Sequence, residues 1–340
     1  MTQKAAIIGD GQMGLVLADA LAERGVSVRL WGPFPEDLDE LASTRQSPRR
    51  LPDFMLPHVV EVTSDPGWVL KGADCIINAI PTQFIRRVWE QLRPHVPTRV
   101  PVACVSKGIE VDTLMRPTQI IADVLGEDAN GSLRPTCSLS GPTIAAELAR
   151  RLPATMVAAS HEPALAQAVQ DLFRVPWLRI YRHEDPLGVE LAGATKNVIA
   201  LAAGMVDGLR AGDNAKSALL ARGLAEIARL GTALGARVDT FFGIAGVGDL
   251  ATTCFSPSGR NRGCGERLGK GETLEEILAS TVSVVEGVPT TKSVMRLTAQ
   301  WDVSMPITKA VHGILFEGLT PREAIADLMG RELKAERIGQ

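Results

Sequence analysis

Through the first half of the chain, short apolar runs rich in β-branched residues alternate with stretches whose apolar residues recur every three or four positions. The short runs have the length and composition of buried strands, and the longer ones the period of amphipathic helices. The pattern predicts strands at Ala5 to Ile8, Val26 to Trp31, Val59 to Thr63, Cys75 to Ile80, Val100 to Val105, Thr136 to Leu139, Ala154 to Ala159 and Leu178 to Tyr181. Helices are expected at Leu15 to Ala22 (closed near Gly25), Asp65 to Lys71, from Thr82 to about Arg93, at Ile144 to Arg151 and at His161 to Phe173. Residues 46 to 57, with Pro48, Pro52 and Pro57, read as an ordered excursion over the sheet. Strands alternating with helices specify an α/β domain with a doubly wound, mainly parallel sheet.

Near residue 184 the pattern changes, and helical periodicity takes over. Asp185-Pro186 is a helix start, with aspartate as N-cap and proline at the first helical position. Helices are predicted from Leu187 to about Leu209, Ala215 to Leu234, Phe241 to about Cys254, Thr273 to Ser280, Thr290 to Gln300, Ile307 to Glu317 and Pro321 to Met329. Gly243, Gly246 and Gly248 inside one of them each cost a helix interior about 1 kcal/mol against alanine, which points to close packing or a kink. Residues 256–263 read as a polar loop, and the charged tail Arg331 to Gln340 is expected to fray. The expected organisation is an α/β domain at 1–184 followed by an all-α domain at 185–340.

Composition narrows the class. With 45% hydrophobic residues in 340 the chain can bury two cores. The net charge of −3 and the isolated pairs Arg49-Arg50 and Arg86-Arg87 give no basis for nucleic-acid binding. A strand beginning just after Lys4 leaves no room for a signal peptide, and the longest apolar run, Val198 to Val206, is too short for a membrane span. Five cysteines without a C-x-x-C spacing point to a reducing, cytoplasmic setting. Five histidines show no ligand spacing, so no metal is expected.

The chemistry begins at the first strand. Gly9, Gly11 and Gly14 follow it in the spacing G-x-G-x-x-G, with a helix and a second strand behind them. In that setting the first glycine permits the tight turn, the second lets a pyrophosphate reach the backbone, and the third lets helix and strand pack closely. The alternative is a glycine-rich turn with no ligand. Asn78 to Thr82, Ser106-Lys107-Gly108 and Ser140 to Thr143 also lie at carboxyl ends of predicted strands, the edge where open α/β sheets bind ligands. No acidic residue ends the second strand, Asp37 and Asp39 come later, and Arg29 lies inside it, so the choice between NAD and NADP stays open.

In the helical half, Lys196 stands among Ala192, Gly193, Ala194, Val198 and Ile199. Desolvation lowers a lysine's pKa towards working pH, as suits a general acid that protonates a carbonyl oxygen while hydride reaches carbon; the alternative is a snorkelling surface lysine. Asp249 can orient an ammonium, or is an ordinary helix-terminal aspartate. Lys107 can hold substrate or stabilise an oxyanion. Arg260 and Asn261, in a glycine-flanked loop, offer donors suited to a phosphate, or are merely solvated.

From Ile7 to about Ile325 the chain resembles bacterial NAD(P)-dependent glycerol-3-phosphate dehydrogenase. The resemblance is carried by Gly9 to Gly14, Asn78-Ala-Ile-Pro-Thr82, Val105-Ser-Lys-Gly-Ile109, Ser140-Gly-Pro-Thr143 with Ala145 and Glu147, Leu191 to Ile199, Ala245-Gly-Val-Gly-Asp-Leu250, Gly259-Arg-Asn-Arg262 and Val285-Glu-Gly287. It implies a Rossmann-type domain followed by a helical domain, a homodimer, and reversible reduction of dihydroxyacetone phosphate to sn-glycerol 3-phosphate for phospholipid synthesis. By the same resemblance Lys196 is the proton donor and acceptor, and Lys107 contacts both cofactor and substrate. Asn197 and Asp249 attend the oxygens of the reacting carbon, Arg260 and Asn261 clamp the phosphate, and Gly141 and Thr143 contact substrate. Gly9, Gly11, Gln12, Met13, Gly14, Phe34, Ala145, Arg260, Val284 and Glu286 would meet NAD or NADP. The chain departs from the family pattern at Gln12-Met13, where Ser-Trp or Ser-Phe is usual, and at Gly259, where serine is usual. It departs also at Pro33-Phe34, near the adenosine ribose, where His or Arg often stands, and at Arg50-Leu-Pro52, where Tyr-Leu-Pro is common. A reductase of similar plan acting on a carboxylate substrate, such as a 3-hydroxy acid or ketopantoate, and a nucleotide sensor without turnover are the competing readings.

Overall fold

The computed structural model describes residues 3–127, 131–281 and 283–332. The chain divides into two units, Met1–Ser106 with Pro117–Pro186, and Lys107–Arg116 with Leu187–Gln340. The second includes a segment that the expected division at 184/185 leaves in the first. Lys107–Arg116 belongs with the helices because they hold it there. Ser293 Oγ donates to the Ile109 carbonyl at 3.0 Å, Arg296 donates to the Val111 carbonyl, and Arg116 pairs with buried Glu190. Of the charged tail, residues 333–340 lie outside the described residues.

In the first unit the strands are β1 (Lys4–Ile8), β2 (Ser27–Trp31), β3 (Gln46–Ser47), β4 (Leu51–Met55), β5 (Glu61–Thr63), β6 (Cys75–Asn78), β7 (Val102–Cys104), β8 (Thr136–Ser140), β9 (Ala154–Ala159) and β10 (Leu178–His183). Eight of them form one sheet in the order β10-β9-β8-β7-β6-β1-β2-β5. Every neighbouring pair is parallel except β8 with β9. Ala5 to Ile8 are all buried, as an apolar run without alternation requires when helices cover both faces of a parallel sheet. Ile7 sits opposite Leu30 on β2 and Ile77 on β6, and the core continues through Leu17, Leu21, Leu139 and Met156. The proline-bearing excursion is a small antiparallel pair, β3 with β4. A helix at Pro117–Leu125 was not among the expected elements, although Ile120, Ile121 and Val124 are buried on it.

The second unit is helical. Its central helix, Pro186–Gly208, is by length and composition long and apolar enough to cross a membrane, but 94% of that apolar window is buried inside the protein. It exceeds the run Val198 to Val206 because Lys196 and Asn197 are buried in it as well. Two expectations fail here for a common reason. Arg260 and Asn261 are not in a loop: they open the helix Arg260–Gly269. A Cβ added at Gly265 would lie 1.9 Å from the Leu201 carbonyl oxygen, and one at Gly204 would lie 1.9 Å from that of Arg262. Gly208 and Gly269 are as tightly placed, so these glycines let two helix backbones touch. The expected single helix from Phe241 to Cys254 is instead Val238–Phe242, a π-turn at Ile244–Gly248 and the helix Asp249–Phe255. A Cβ at Gly246 would lie 2.1 Å from the Phe241 carbonyl oxygen, which explains the glycine inside the break.

Candidate functional site

In the first unit, the carboxyl ends of the mutually parallel β1, β6, β7 and β8 share one edge. Gly9 leaves β1 with φ +120°, and its N–H donates to the Trp31 carbonyl at 2.8 Å. A side chain at Gly9 would strike the Ala79 carbonyl oxygen at 2.6 Å, and one at Gly14 would strike that of Gly9 at 1.8 Å. At Gly11, in contrast, a Cβ would meet nothing within 4 Å. The turn is therefore closed beneath and open above. Gly11 is the N-cap of the helix Gln12–Glu23, and no side chain caps that end. Uncapped N–H groups at the positive end of a helix are a ready site for phosphate. The glycine turn thus fits a dinucleotide, the pyrophosphate of which would lie over Gly11.

The other first-unit residues named for cofactor or substrate surround this edge differently. Gln12 Nε2 donates to the Arg50 carbonyl at 2.5 Å, and Met13 packs on the core. Phe34, just beyond β2, is 59% exposed. Ala145 is buried at the start of Ala145–Leu148, a turn that packs against the Gln12–Glu23 helix. Gly141 has φ +147°, and its carbonyl accepts a hydrogen bond from Thr143 Oγ1 at 3.1 Å.

In the second unit, the central helix carries Lys196 inward. Its side chain is buried, which removes the snorkelling alternative. Lys196 Nζ donates to Asp249 Oδ1 at 2.6 Å and to Thr253 Oγ1 at 2.5 Å. The other carboxylate oxygen, Asp249 Oδ2, accepts from Lys107 Nζ at 2.7 Å. Burial lowers the Lys196 pKa to about 8 against the opposing pull of Asp249, and the second ammonium, Lys107, adds to the lowering. Burial alone would raise the Asp249 carboxyl, but the two ammonium groups together hold it below its ordinary value. Two cations around one carboxylate leave the cluster with an excess positive charge in a buried place, where a substrate oxygen gaining negative charge is stabilised. Cys254, nearby, is pushed up to about 12 by burial and stays a thiol.

A chain of amides runs from this cluster. Asn197 donates to the Lys107 carbonyl at 3.2 Å and accepts from Asn261 Nδ2 at 2.9 Å, and the Gly287 N–H donates to Asn261 Oδ1 at 2.9 Å. Arg260 is exposed at the first turn of its helix and donates to the Val284 carbonyl at 3.2 Å. Desolvation of its guanidinium lowers the Arg260 pKa from its ordinary value, and Glu286, the N-cap of the helix Gly287–Gln300, partly opposes this. The structure so gathers Lys107, Lys196, Asn197, Asp249 and Asn261 in one network, with Arg260, Val284 and Glu286 in a second group that Asn261 adjoins in sequence. Thr253 is a member that sequence reading missed. Its only signal was its place four residues after Asp249, one helical turn on.

Comparison with known proteins places the chain. The model of the NAD-dependent glycerol-3-phosphate dehydrogenase N-terminus matches residues 4–166, and that of the C-terminus of the same enzyme matches residues 185–326. A glycerol-3-phosphate dehydrogenase [NAD(P)+] of a Geobacter species is 42% identical over 99% of this chain and 100% of its own length. That of Maridesulfovibrio salexigens is 44% identical over 98% of this chain and 100% of its own. The crystal structure of glycerol-3-phosphate dehydrogenase from Coxiella burnetii has a TM-score of 0.92 at 32% identity, covering 97% of this chain and 99% of that one. With a nucleotide-binding turn in one unit, a buried lysine network in the other and matches along almost its whole length, the chain belongs to the NAD-dependent glycerol-3-phosphate dehydrogenase family.

Proposed function

We propose that this oxidoreductase reduces dihydroxyacetone phosphate reversibly to sn-glycerol 3-phosphate with Lys196 as the proton donor and acceptor. The observation that carries the reading is the buried Lys196 ammonium held on Asp249, with Lys107 on the same carboxylate. NAD(P)H, when bound, supplies a hydride to the carbonyl carbon. The carbonyl oxygen then gains charge, and Lys196 Nζ gives it a proton. Burial has already weakened the hold of Lys196 on that proton, so the neutral amine left behind is not costly. Asp249 keeps Nζ in place through the transfer, and Lys107 keeps Asp249 ionised. In the oxidation direction neutral Lys196 takes the alcohol proton.

Arg260, exposed and fixed at one N–H, suits the substrate phosphate, with Gly141 and Thr143 as further substrate contacts. Asn197 and Asn261 spend their described hydrogen bonds on the network itself, so we assign them to positioning Lys107 and the Gly287 turn as much as to substrate. Gly9, Gly11, Gln12, Met13, Gly14, Phe34, Ala145, Lys107, Arg260, Val284 and Glu286 are the residues we assign to the cofactor. The product supplies the backbone of phospholipids. We place the enzyme in the cytoplasm as a homodimer: its five thiols are all free, as a reducing compartment allows, and the dimer rests on the family resemblance alone.

The test is Lys196→Ala. Loss of a general acid should lower kcat roughly 100- to 10,000-fold while NADH still binds, as followed by nicotinamide fluorescence. Near-normal turnover would take the proton away from Lys196.

A further inference from the structure

We propose that Asp37, held in place by Arg50, makes this enzyme select NADH over NADPH; the proposal rests on the nucleotide binding at the glycine turn described above. Arg50 comes from the turn between β3 and β4 and is tied to the glycine turn at several points. It donates through Nη1 to the Asp10 carbonyl at 3.0 Å and to the Asp10 carboxylate, and through Nη2 to Asp37 Oδ2 at 2.9 Å. Its own carbonyl receives Gln12 Nε2. Asp10 lies between the first two glycines and is 5% exposed. Its carboxylate fills the space beside Gly32, where an added Cβ would come within 2.6 Å of it. One guanidinium is therefore shared by two carboxylates just past the carboxyl ends of β1 and β2.

That is the place where a dinucleotide's adenosine ribose lies, and its polar groups decide the cofactor. A carboxylate there accepts hydrogen bonds from the ribose hydroxyls and repels a 2′-phosphate, whereas an uncommitted arginine does the opposite. Asp37, in the first turn of the helix Pro35–Thr44, has a side chain 42% exposed, so it faces outward to accept. Arg50 is committed to both carboxylates, and Pro33 and Phe34 bring no cation. Of the other nearby cations, Arg49 is exposed on the same turn as Arg50, while Arg29 and Arg45 are engaged elsewhere. Arg29 pairs with Glu61 and donates to the Trp68 and Lys71 carbonyls. Arg45 is buried on the carbonyls of Leu56, Pro57 and Val60. A 2′-phosphate would thus enter a group with more carboxylates than bound cations.

The experiment is titration of the full chain with NADH and with NADPH, read by nicotinamide fluorescence and needing no triose phosphate. NADH should bind at least tenfold more tightly. Asp37→Asn, at a partly exposed helix start, should weaken NADH several-fold and tighten NADPH, reducing the ratio at least tenfold. The NADPH gain should vanish in the double variant Asp37→Asn/Arg50→Gln, which lacks the guanidinium freed to meet the phosphate. Equal or tighter NADPH binding by the native chain would overturn the proposal, with Arg49 or Arg50 then the phosphate partner. An unchanged ratio in Asp37→Asn would overturn it too, and so would a gain that survives in the double variant. Binding of both nucleotides without turnover of dihydroxyacetone phosphate would remove the proposed reaction but leave the ratio to decide this point.

Discussion

Lys196 has its chemistry from partners distant in sequence. Asp249 stands 53 positions from it and 142 from Lys107, so no spacing rule links the three. The apolar neighbours of Lys196 could be read as a sign of desolvation, and the structure bears that out; the shared carboxylate could not be read at all. The pH dependence follows from the lysine. On the proposed mechanism reduction needs the Lys196 ammonium, which is lost as pH rises through about 8. In steady-state assays, kcat/KM for reduction should be level below that pH and fall tenfold per unit above it. Oxidation needs the free amine and should rise through the same range. Asp249→Asn removes the charge that pulls the Lys196 pKa up against burial. The reduction limb should shift to lower pH, and kcat near neutrality should drop roughly 100-fold. A profile unmoved by the change would show that another group titrates. Arg260→Ala should act on binding: a lost charged hydrogen bond of about 1.5–3 kcal/mol raises KM for the triose phosphate roughly 10- to 100-fold with kcat little altered.

At the scale of elements, what was legible followed periodicity, and what was not followed packing. The β1–helix–β2 unit and most of the sheet were readable because apolar runs and glycine turns obey local rules. The helix Arg260–Gly269 was not, because glycine is a poor helix former and Gly259, Gly263 and Gly265 beside Arg260 and Arg262 have a loop's composition. Gly265 and Gly269 repeat at one helical turn, as do Gly204 and Gly208, and each lies against the backbone of the facing helix. The spacing was in the sequence, but its partner stretch was about 60 residues away by numbering. Close contact is the compensation for the poor propensity. Gly265→Ala places a methyl 1.9 Å from the Leu201 carbonyl oxygen and should destabilise the fold by about 3 kcal/mol. Urea unfolding would show it, and an unchanged midpoint would mean that the two helices separate at little cost.

Over the whole molecule, the first unit holds the glycine turn at the end of β1 and the second holds the buried Lys196–Asp249–Lys107 cluster. The division was legible as a change of pattern near residue 184. The return of Lys107–Arg116 to the helical unit was not legible, since it depends on Ser293, Arg296 and Glu190 far along the chain. That return matters, because it is how a lysine that follows a strand of one unit comes to share a carboxylate with the lysine of the other. The most direct measurement is oxidation of NADH, and separately of NADPH, by the purified protein with dihydroxyacetone phosphate. Turnover that yields glycerol 3-phosphate is expected, with the higher kcat/KM for NADH. Tight nucleotide binding with no consumption of dihydroxyacetone phosphate would contradict it.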